Sequence, residues 1–268
     1  MKIFYRISDN SYQKFKLPGC SKKLCLDNFL EHFDKTNLTV IADNCQGSTI
    51  QHLHNLELNV KVCSYGNAGA IRSAVHMAVD QDCGNVYFVE DDYLHKKNSN
   101  QVILEGLEVA DYVTLYDHPD KYTKIYNYGE ISKVVKTKSS HWRYSISTVM
   151  TFATNSRILK EDIDIWDKYT SENHPEDHTI FEELNAKGRK LAISIPGLSY
   201  HTDLTFSQMI GELYIEDWAV DIVCQSFKER FDKIGLEFPP LEHVKNTEGW
   251  DKIKILTSIN NVAKQISR

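Results

Sequence analysis

Short apolar runs and stretches of helical spacing take turns along the first half of the chain. Residues 3–8 read as a strand, and residues 24–35 as a helix with Leu26, Phe29, Leu30 and Phe33 on one face. A second strand over 38–42 ends at Asp43-Asn44, a short helix follows over 48–53, and a third strand covers 60–65. Gly66-Asn67-Ala68-Gly69 is a turn that opens a helix reaching Met77. Residues 86–89 form a fourth strand, 100–109 a helix and 112–116 a fifth strand. Repeated β-α-β units of this kind predict an α/β fold, with a mostly parallel central sheet flanked by helices.

The pattern changes after residue 116. Residues 117–127 are polar and contain Pro119, 131–138 alternate in strand fashion, and 141–153 are rich in Thr, Ser, Val, Tyr and Phe. These read as antiparallel strands or a long loop at the sheet edge. Residues 158–169 are acidic and helical in spacing. Residues 175–187 form a strong helix, with Pro175 suited to its first position and Gly188 ending it. Residues 191–195 form another strand, and the tail from Ser207 is mostly helical, interrupted at Pro239-Pro240. The expected organisation is a main unit over 1–205, divided near 117 into two halves, with a helical extension over 206–268.

The fourth strand runs directly into Glu90-Asp91-Asp92. Ligands of open α/β sheets bind at the carboxyl ends of strands. Three adjacent acids repel one another unless a cation sits among them. Carboxylate oxygens suit a hard divalent ion, Mn²⁺ or Mg²⁺, which in turn bridges phosphates. The pattern therefore points to a metal–phosphate site, the plainer alternative being an acidic turn in solvent. Net charge is −6 over 268 residues, which disfavours generic nucleic-acid binding. Six cysteines (Cys20, Cys25, Cys45, Cys63, Cys83, Cys224) show no CxxC pair or tight framework. With an N-terminus that turns polar early and no apolar run near the roughly 18 residues of a membrane span, the expectation is a cytoplasmic protein without a transmembrane segment.

Taken in order, these motifs resemble those of nucleotide-sugar-dependent glycosyltransferases of the GT-A fold, family 2-like and inverting, over about residues 1–205. Ser8-Asp9 follows the first strand, Asp43-Asn44 follows the second, and Asn67-Ala68-Gly69-Ala70-Ile71-Arg72 opens a helix like the family's Asn-x-Gly region. Glu90-Asp91-Asp92 stands at the DXD position, Glu176-Asp177 begins a late helix, and His201 follows the next strand. The late acid pair lacks the Gln-x-x-Arg-Trp continuation of processive polysaccharide synthases, and residues 117–150 match no acceptor signature.

The resemblance implies a role for each position. Ser8, Asp9, Asn67, Glu90 and Asp91 belong to the donor site, with Glu90 facing the ribose and Asp91 reaching the metal through water. Asp92 is the direct metal ligand and His201 a second one. Asp43 accepts the base N–H of a uracil or similar ring, and Arg72 reaches the base or phosphates. Asp177 is the catalytic base and Glu176 orients the acceptor hydroxyl. The implied partners are a UDP-sugar donor and a glycan or other hydroxyl acceptor. Ordinary alternatives stand beside these roles. First-turn acids complement a helix dipole, Asp-Asn is a common turn, and His201 suits a hydrogen-bonded loop. His174 and His178 read as surface residues. Lys133, Lys136, Lys138, His141, Trp142, Arg143 and Tyr144 read as a strand edge guarded by lysines, or as an acceptor loop with Trp142 stacking on a ring. A sugar-phosphate nucleotidyltransferase and a non-catalytic nucleotide or carbohydrate-binding module are the competing functions.

Overall fold

The structure is a computed structural model and describes residues 1–10, 14–123 and 132–266. Part of the polar stretch 117–127, and the start of the strand expected over 131–138, lie outside the described residues. The strands are β1 Lys2–Ile7, β2 Leu38–Asp43, β3 Asn59–Cys63, β4 Asn85–Glu90, β5 Tyr93–His95, β6 Tyr112–Thr114, β7 Val134–Lys136, β8 His141–Ser145, β9 Phe152–Asn155, β10 Leu191–Ile195 and β11 Ser199–His201. Nine of them form one sheet in the order β3-β2-β1-β4-β9-β6-β10-β8-β7, and β5 pairs with β11 in a separate ribbon.

The first four strands in that order are mutually parallel. Beyond them the sheet is mixed: β9 runs antiparallel to both β4 and β6, while β6 and β10 are parallel. The alternating stretch after residue 141 therefore does not stay at an edge. It supplies β8 near the edge and β9 in the sheet centre, where Phe152 and Ala153 are fully buried. The true edge is β7, which carries Lys136.

Both faces of the sheet are covered, which is why its inner strands read as continuous apolar runs. Alternate residues separate to the two sides. Ile3, Tyr5, Ile7, Tyr87 and Val89 pack with Leu26 and Phe29 of the helix Lys22–His32 and with Phe33, which caps it. Phe4, Val86 and Phe88 pack with Ala70, Ala74 and Val75 of the helix Gly66–Asp80 and with Trp166 and Phe181. The single helix expected over 158–169 is two, Ser156–Glu161 and Ile163–Tyr169. They part at Asp162, which is fully buried and takes hydrogen bonds from Arg189, Lys187 and Tyr112.

A third apolar cluster joins the helices Asp217–Asp232 and Gly249–Ile266 to Leu17, Leu94, Tyr200 and Leu204. The tail thus packs on the segment after β1 and on the β5–β11 ribbon. Gly19 marks the contact: it has φ of +90°, and a Cβ there would run into the Phe227 ring. No helix among the described residues is long and apolar enough to cross a membrane.

Candidate active site

β1 pairs with β2 on one side and β4 on the other. The chain moves outward through β2 and β3 and then returns to β4, which opens a crevice at the carboxyl ends of β1 and β4. Ser8 and Glu90-Asp91-Asp92 lie there. The Ser8 amide donates to Asp91 Oδ2 at 2.9 Å, tying the two strand ends together.

The cations around the acids come from a segment that the sequence pattern did not mark. Lys22 Nζ lies 3.3 Å from Asp91 Oδ2. Lys14 Nζ and Lys16 Nζ lie 3.3 and 3.2 Å from Asp92 Oδ2. Their placement follows from backbone pairing, because Lys16 bridges Asp203 and the Leu17 amide donates to the Thr202 carbonyl at 2.8 Å. The β5–β11 ribbon does the same for His201. Its register sets His201 beside Tyr93, the two rings stack with centroids 4.5 Å apart, and the Thr202 amide donates to the Asp92 carbonyl at 2.9 Å. His201 Nε2 then lies 3.3 Å from Asp92 Oδ1, and both atoms are buried without hydrogen-bond geometry to any described partner.

Three adjacent acids in one crevice do not share one electrostatic state. Burial pushes the carboxyls of Glu90 and Asp91 upward, and the charge of Asp92 adds to it. Burial acts on Asp92 in the same direction, but His201, Lys14 and Lys16 outweigh it and hold its carboxyl well below the usual range. Lys16 gains in turn: Asp92 and Asp91 overcome its burial and raise its pKa.

A cavity of about 560 Å³ opens beside this cluster, lined by Lys14, Asn67, Glu90, Asp177 and His201 among others. Asp177 is the first residue of the helix Asp177–Ala186, two residues later than Pro175 suggests. Its carboxyl is raised by burial, against the His178 amide that donates to it at 2.8 Å. Glu176 is exposed and is not among the residues lining that cavity, whereas His174, expected at the surface, does line it.

Other expected donor residues point elsewhere. Asp43 is fully buried, and its oxygens accept from Arg6 Nη2 at 2.8 Å, the Tyr65 and Gly66 amides at 2.9 and 3.0 Å and Asn44 Nδ2 at 3.1 Å. A base could reach it only by displacing these groups, so its visible work is to fasten the Gly66 turn to β1. Arg72 Nε donates to Asp167 Oδ1 at 2.8 Å and lines an open groove with Tyr65 and His76 that shares no residue with the 560 Å³ cavity. Asp9 is exposed and accepts the Gln46 amide at 2.8 Å, where the helix Gly47–Asn55 begins. Trp142 is no stacking platform: it is fully buried against Gly106 and donates to Thr137 Oγ1 at 3.0 Å. Arg143 is buried as well and pairs with Asp117 at 2.7 Å.

Among the described residues no set of three or more His, Cys, Asp or Glu side chains converges as a metal cage. Asp92 Oδ1 and His201 Nε2, paired at 3.3 Å but without hydrogen-bond geometry, do fit a divalent ion, since both are of ligand type and a neutral imidazole could share the ion with the carboxylate in place of their direct pairing. Two protein ligands leave positions for phosphate oxygens.

No protein-family model matches the chain, and neither does any curated protein sequence. Solved structures do. GalNAc-T7 with UDP, GalNAc and Mn²⁺ superposes with a TM-score of 0.51 at 8% identity, over 75% of this chain and 42% of that one, less than half of its length. S. aureus TarS 1–349 gives 0.49 at 17% identity over 87% of this chain and 72% of that one. A CMP-2-keto-3-deoxy-manno-octonic acid synthetase complexed with CTP gives 0.47 at 10% identity over 78% and 95%. The chain is similar to these in architecture, and its fold is that of the GT-A group.

Proposed function

We propose that this protein is a nucleotide-sugar-dependent glycosyltransferase that moves one sugar from a nucleoside diphosphate donor to an acceptor hydroxyl with inversion. The observation that carries the reading is the meeting of Asp92 Oδ1 and His201 Nε2 at 3.3 Å, both buried and without hydrogen-bond geometry to the protein, where His201 lines a cavity whose wall also holds Asp177. Asp92 and His201 would hold Mn²⁺ or Mg²⁺, which supplies positive charge against a diphosphate leaving group. The Mn²⁺ and UDP of GalNAc-T7 support that choice of ion and of donor nucleotide.

The remaining chemistry belongs to the chain's own side chains. Asp177, held on the cavity wall with a raised pKa, takes the proton from the acceptor hydroxyl. The hydroxyl oxygen bonds to the anomeric carbon on the face opposite the diphosphate. The bond from that carbon to the diphosphate breaks, and its electron pair leaves with the phosphate oxygen. Lys14 and Lys16 stand where that charge grows. Asp91, fixed by Ser8 and Lys22, holds the two strand ends in register beneath the diphosphate. Asn67 and Glu90 complete the donor wall, while Asp43 positions the Gly66 turn from within. Glu176, exposed and outside that cavity's lining, takes no part in this scheme. Six free cysteines accord with a reducing, cytoplasmic setting.

One observation favours a second reading. Lys14, Lys16 and Lys22 follow the first strand and face the acids, as the basic loop of a nucleotidyltransferase does. That enzyme would release pyrophosphate from a nucleoside triphosphate and a sugar phosphate.

The deciding experiment is thermal denaturation with UDP, GDP, CDP, TDP and ADP and with the corresponding triphosphates, each with and without Mn²⁺, on the wild type and Asp92→Asn, with pyrophosphate release assayed in the presence of sugar phosphates. A ligand at a hundredfold excess over its Kd stabilises by about 2.7 kcal/mol, or roughly 5 to 10 °C for a chain of this size. A rise with one diphosphate, only with metal and lost in Asp92→Asn, supports the transferase. A response confined to triphosphates, with pyrophosphate release, supports the second reading. No response to any nucleotide overturns both.

A further inference from the structure

A second cavity, of about 500 Å³, adjoins the first and shares Val149, His201 and Asp203 with it. Its chemistry differs from that of the crevice. Tyr116, Tyr122 and Phe206 present rings to it, and Asp117, Asp203 and Glu216 present carboxylates. Among the described residues lining it there is no lysine or arginine. Ser199, which also lines it, keeps its hydroxyl buried without a hydrogen-bond partner.

The carboxylates are set as acceptors rather than left as open charges. Asp117 Oδ1 takes Arg143 Nη2 at 2.7 Å, and its Oδ2 takes the Tyr122 hydroxyl. Asp203 Oδ1 takes the Thr205 amide at 2.8 Å, and its Oδ2 lies 3.7 Å from Lys14. Each keeps lone pairs for a hydroxyl donor. A phosphate group would meet three carboxylates, with no lysine or arginine among the described lining residues and only the imidazoles of His118 and His201 to offset them. A cationic ligand would find two of the three carboxylates already paired. A neutral ring bearing hydroxyls meets neither obstacle: its apolar face lies on the aromatic rings, and its hydroxyls donate to the carboxylates and to Ser199.

We infer that this cavity is a subsite for a neutral saccharide, the acceptor end of the transfer, and that it selects against phosphorylated sugars. The volume suits one or two sugar rings, and the shared wall at His201 brings a ligand there next to Asp177's cavity. The inference deepens the glycosyltransferase reading and rests on it for the word acceptor; the saccharide site itself does not.

The test is saturation-transfer NMR with a panel of neutral methyl glycosides (glucoside, galactoside, mannoside, N-acetylglucosaminide), the 6-phosphate of each and the free-amine glucosaminide, with and without UDP. The variant is Tyr122→Ala, since Tyr122 is 60% exposed and its loss leaves the core intact. At least one neutral glycoside is expected to bind, its 6-phosphate at least tenfold more weakly, and Tyr122→Ala to weaken the neutral ligand at least fivefold while leaving UDP binding unchanged. Equal or tighter binding of the phosphates or of the free amine, neutral binding indifferent to Tyr122, or no glycoside binding at all overturns the inference. Neutral glycosides that bind through Tyr122 in a protein deaf to every nucleotide would keep the saccharide site and sink the transferase.

Discussion

Two acidic stations flank one cavity, Asp177 on its wall and Asp92 behind the Lys14 and His201 that line it, and they are built on opposite principles. Asp92 is surrounded by Lys14, Lys16 and His201, so its charge is fixed and its carboxyl is held low. Asp177 is partly buried, takes one local amide and, among the described residues, has no lysine or arginine at ion-pair distance, so its carboxyl is held high. An acid that keeps its charge to well below the ordinary carboxylate range is suited to holding cations. An acid that would rather be neutral is suited to accepting a proton. The difference assigns the two roles more securely than the presence of acids does, because composition alone is the same at both places.

The largest expected effect is on catalysis by Asp177→Asn. Loss of a general base lowers kcat by about 10²- to 10⁴-fold, with nucleotide binding unchanged in the same thermal assay. Asp92→Asn lowers turnover by about 10²- to 10³-fold, the scale of one lost electrostatic partner, and also removes the metal dependence of nucleotide binding. A variant pair in which Asp177→Asn abolished nucleotide binding and Asp92→Asn spared it would reverse the assignment.

Stability separates the two acids by sign. The folded pKa of Asp177 lies above its unfolded value near 3.9, so its ionisation opposes folding. The stability it allows is complete below the unfolded pKa and is lost as pH rises through the folded one. Asp92 has a depressed folded pKa, so its contribution is present above the unfolded pKa and is lost as pH falls through the folded one. At pH 7, Asp177→Asn should therefore raise Tm and Asp92→Asn should lower it, and both differences should shrink as pH drops toward 3. The acid limb of the rate profile should sit above the ordinary carboxylate range, because Asp177 must be ionised to act. Shifts of the same sign in both variants at pH 7 would remove the contrast.

Much of this was legible in the sequence, and the limits have physical causes. β4 running into Glu90-Asp91-Asp92 announced the crevice because a strand buried on both faces leaves a continuous apolar run that stops where solvent begins. The Asp177 helix announced itself through Pro175 and Gly188. Lys14 and Lys16 were invisible, since a lysine among polar residues looks solvated and these meet their acid only by pairing with the segment that contains Asp203, far along the chain. β9 entered the sheet centre through pairings with β4 and β6 that no local pattern encodes. Trp142 and Arg143 looked exposed because their partners come from earlier in the chain, Gly106 at the end of the helix Ser99–Gly106 and Asp117 from the loop after β6. Asp43 showed the opposite limit: a turn-type acid at a strand end was found, but only the fold reveals that its lone pairs face inward.

The smallest effect, and the one that most sharpens the contrast, concerns the lysines. If Lys14 and Lys16 act as resident counter-cations of Asp92, a divalent ion must compete with them. Replacing both by Met keeps their apolar stems and removes the competition. Each partly buried pair contributes on the order of 1 kcal/mol, about fivefold in an equilibrium constant. Mn²⁺ alone, followed by titration calorimetry, should then bind the double variant several-fold more tightly than wild type, while UDP with Mn²⁺ binds more weakly because the diphosphate has lost two cations. Lysines that only hold the fold together would give a lower Tm with both affinities unchanged. Mn²⁺ binding absent from the wild type and the variant alike would show that the lysines are not what keeps a metal out, and the acid cluster would then be a metal-free diphosphate site.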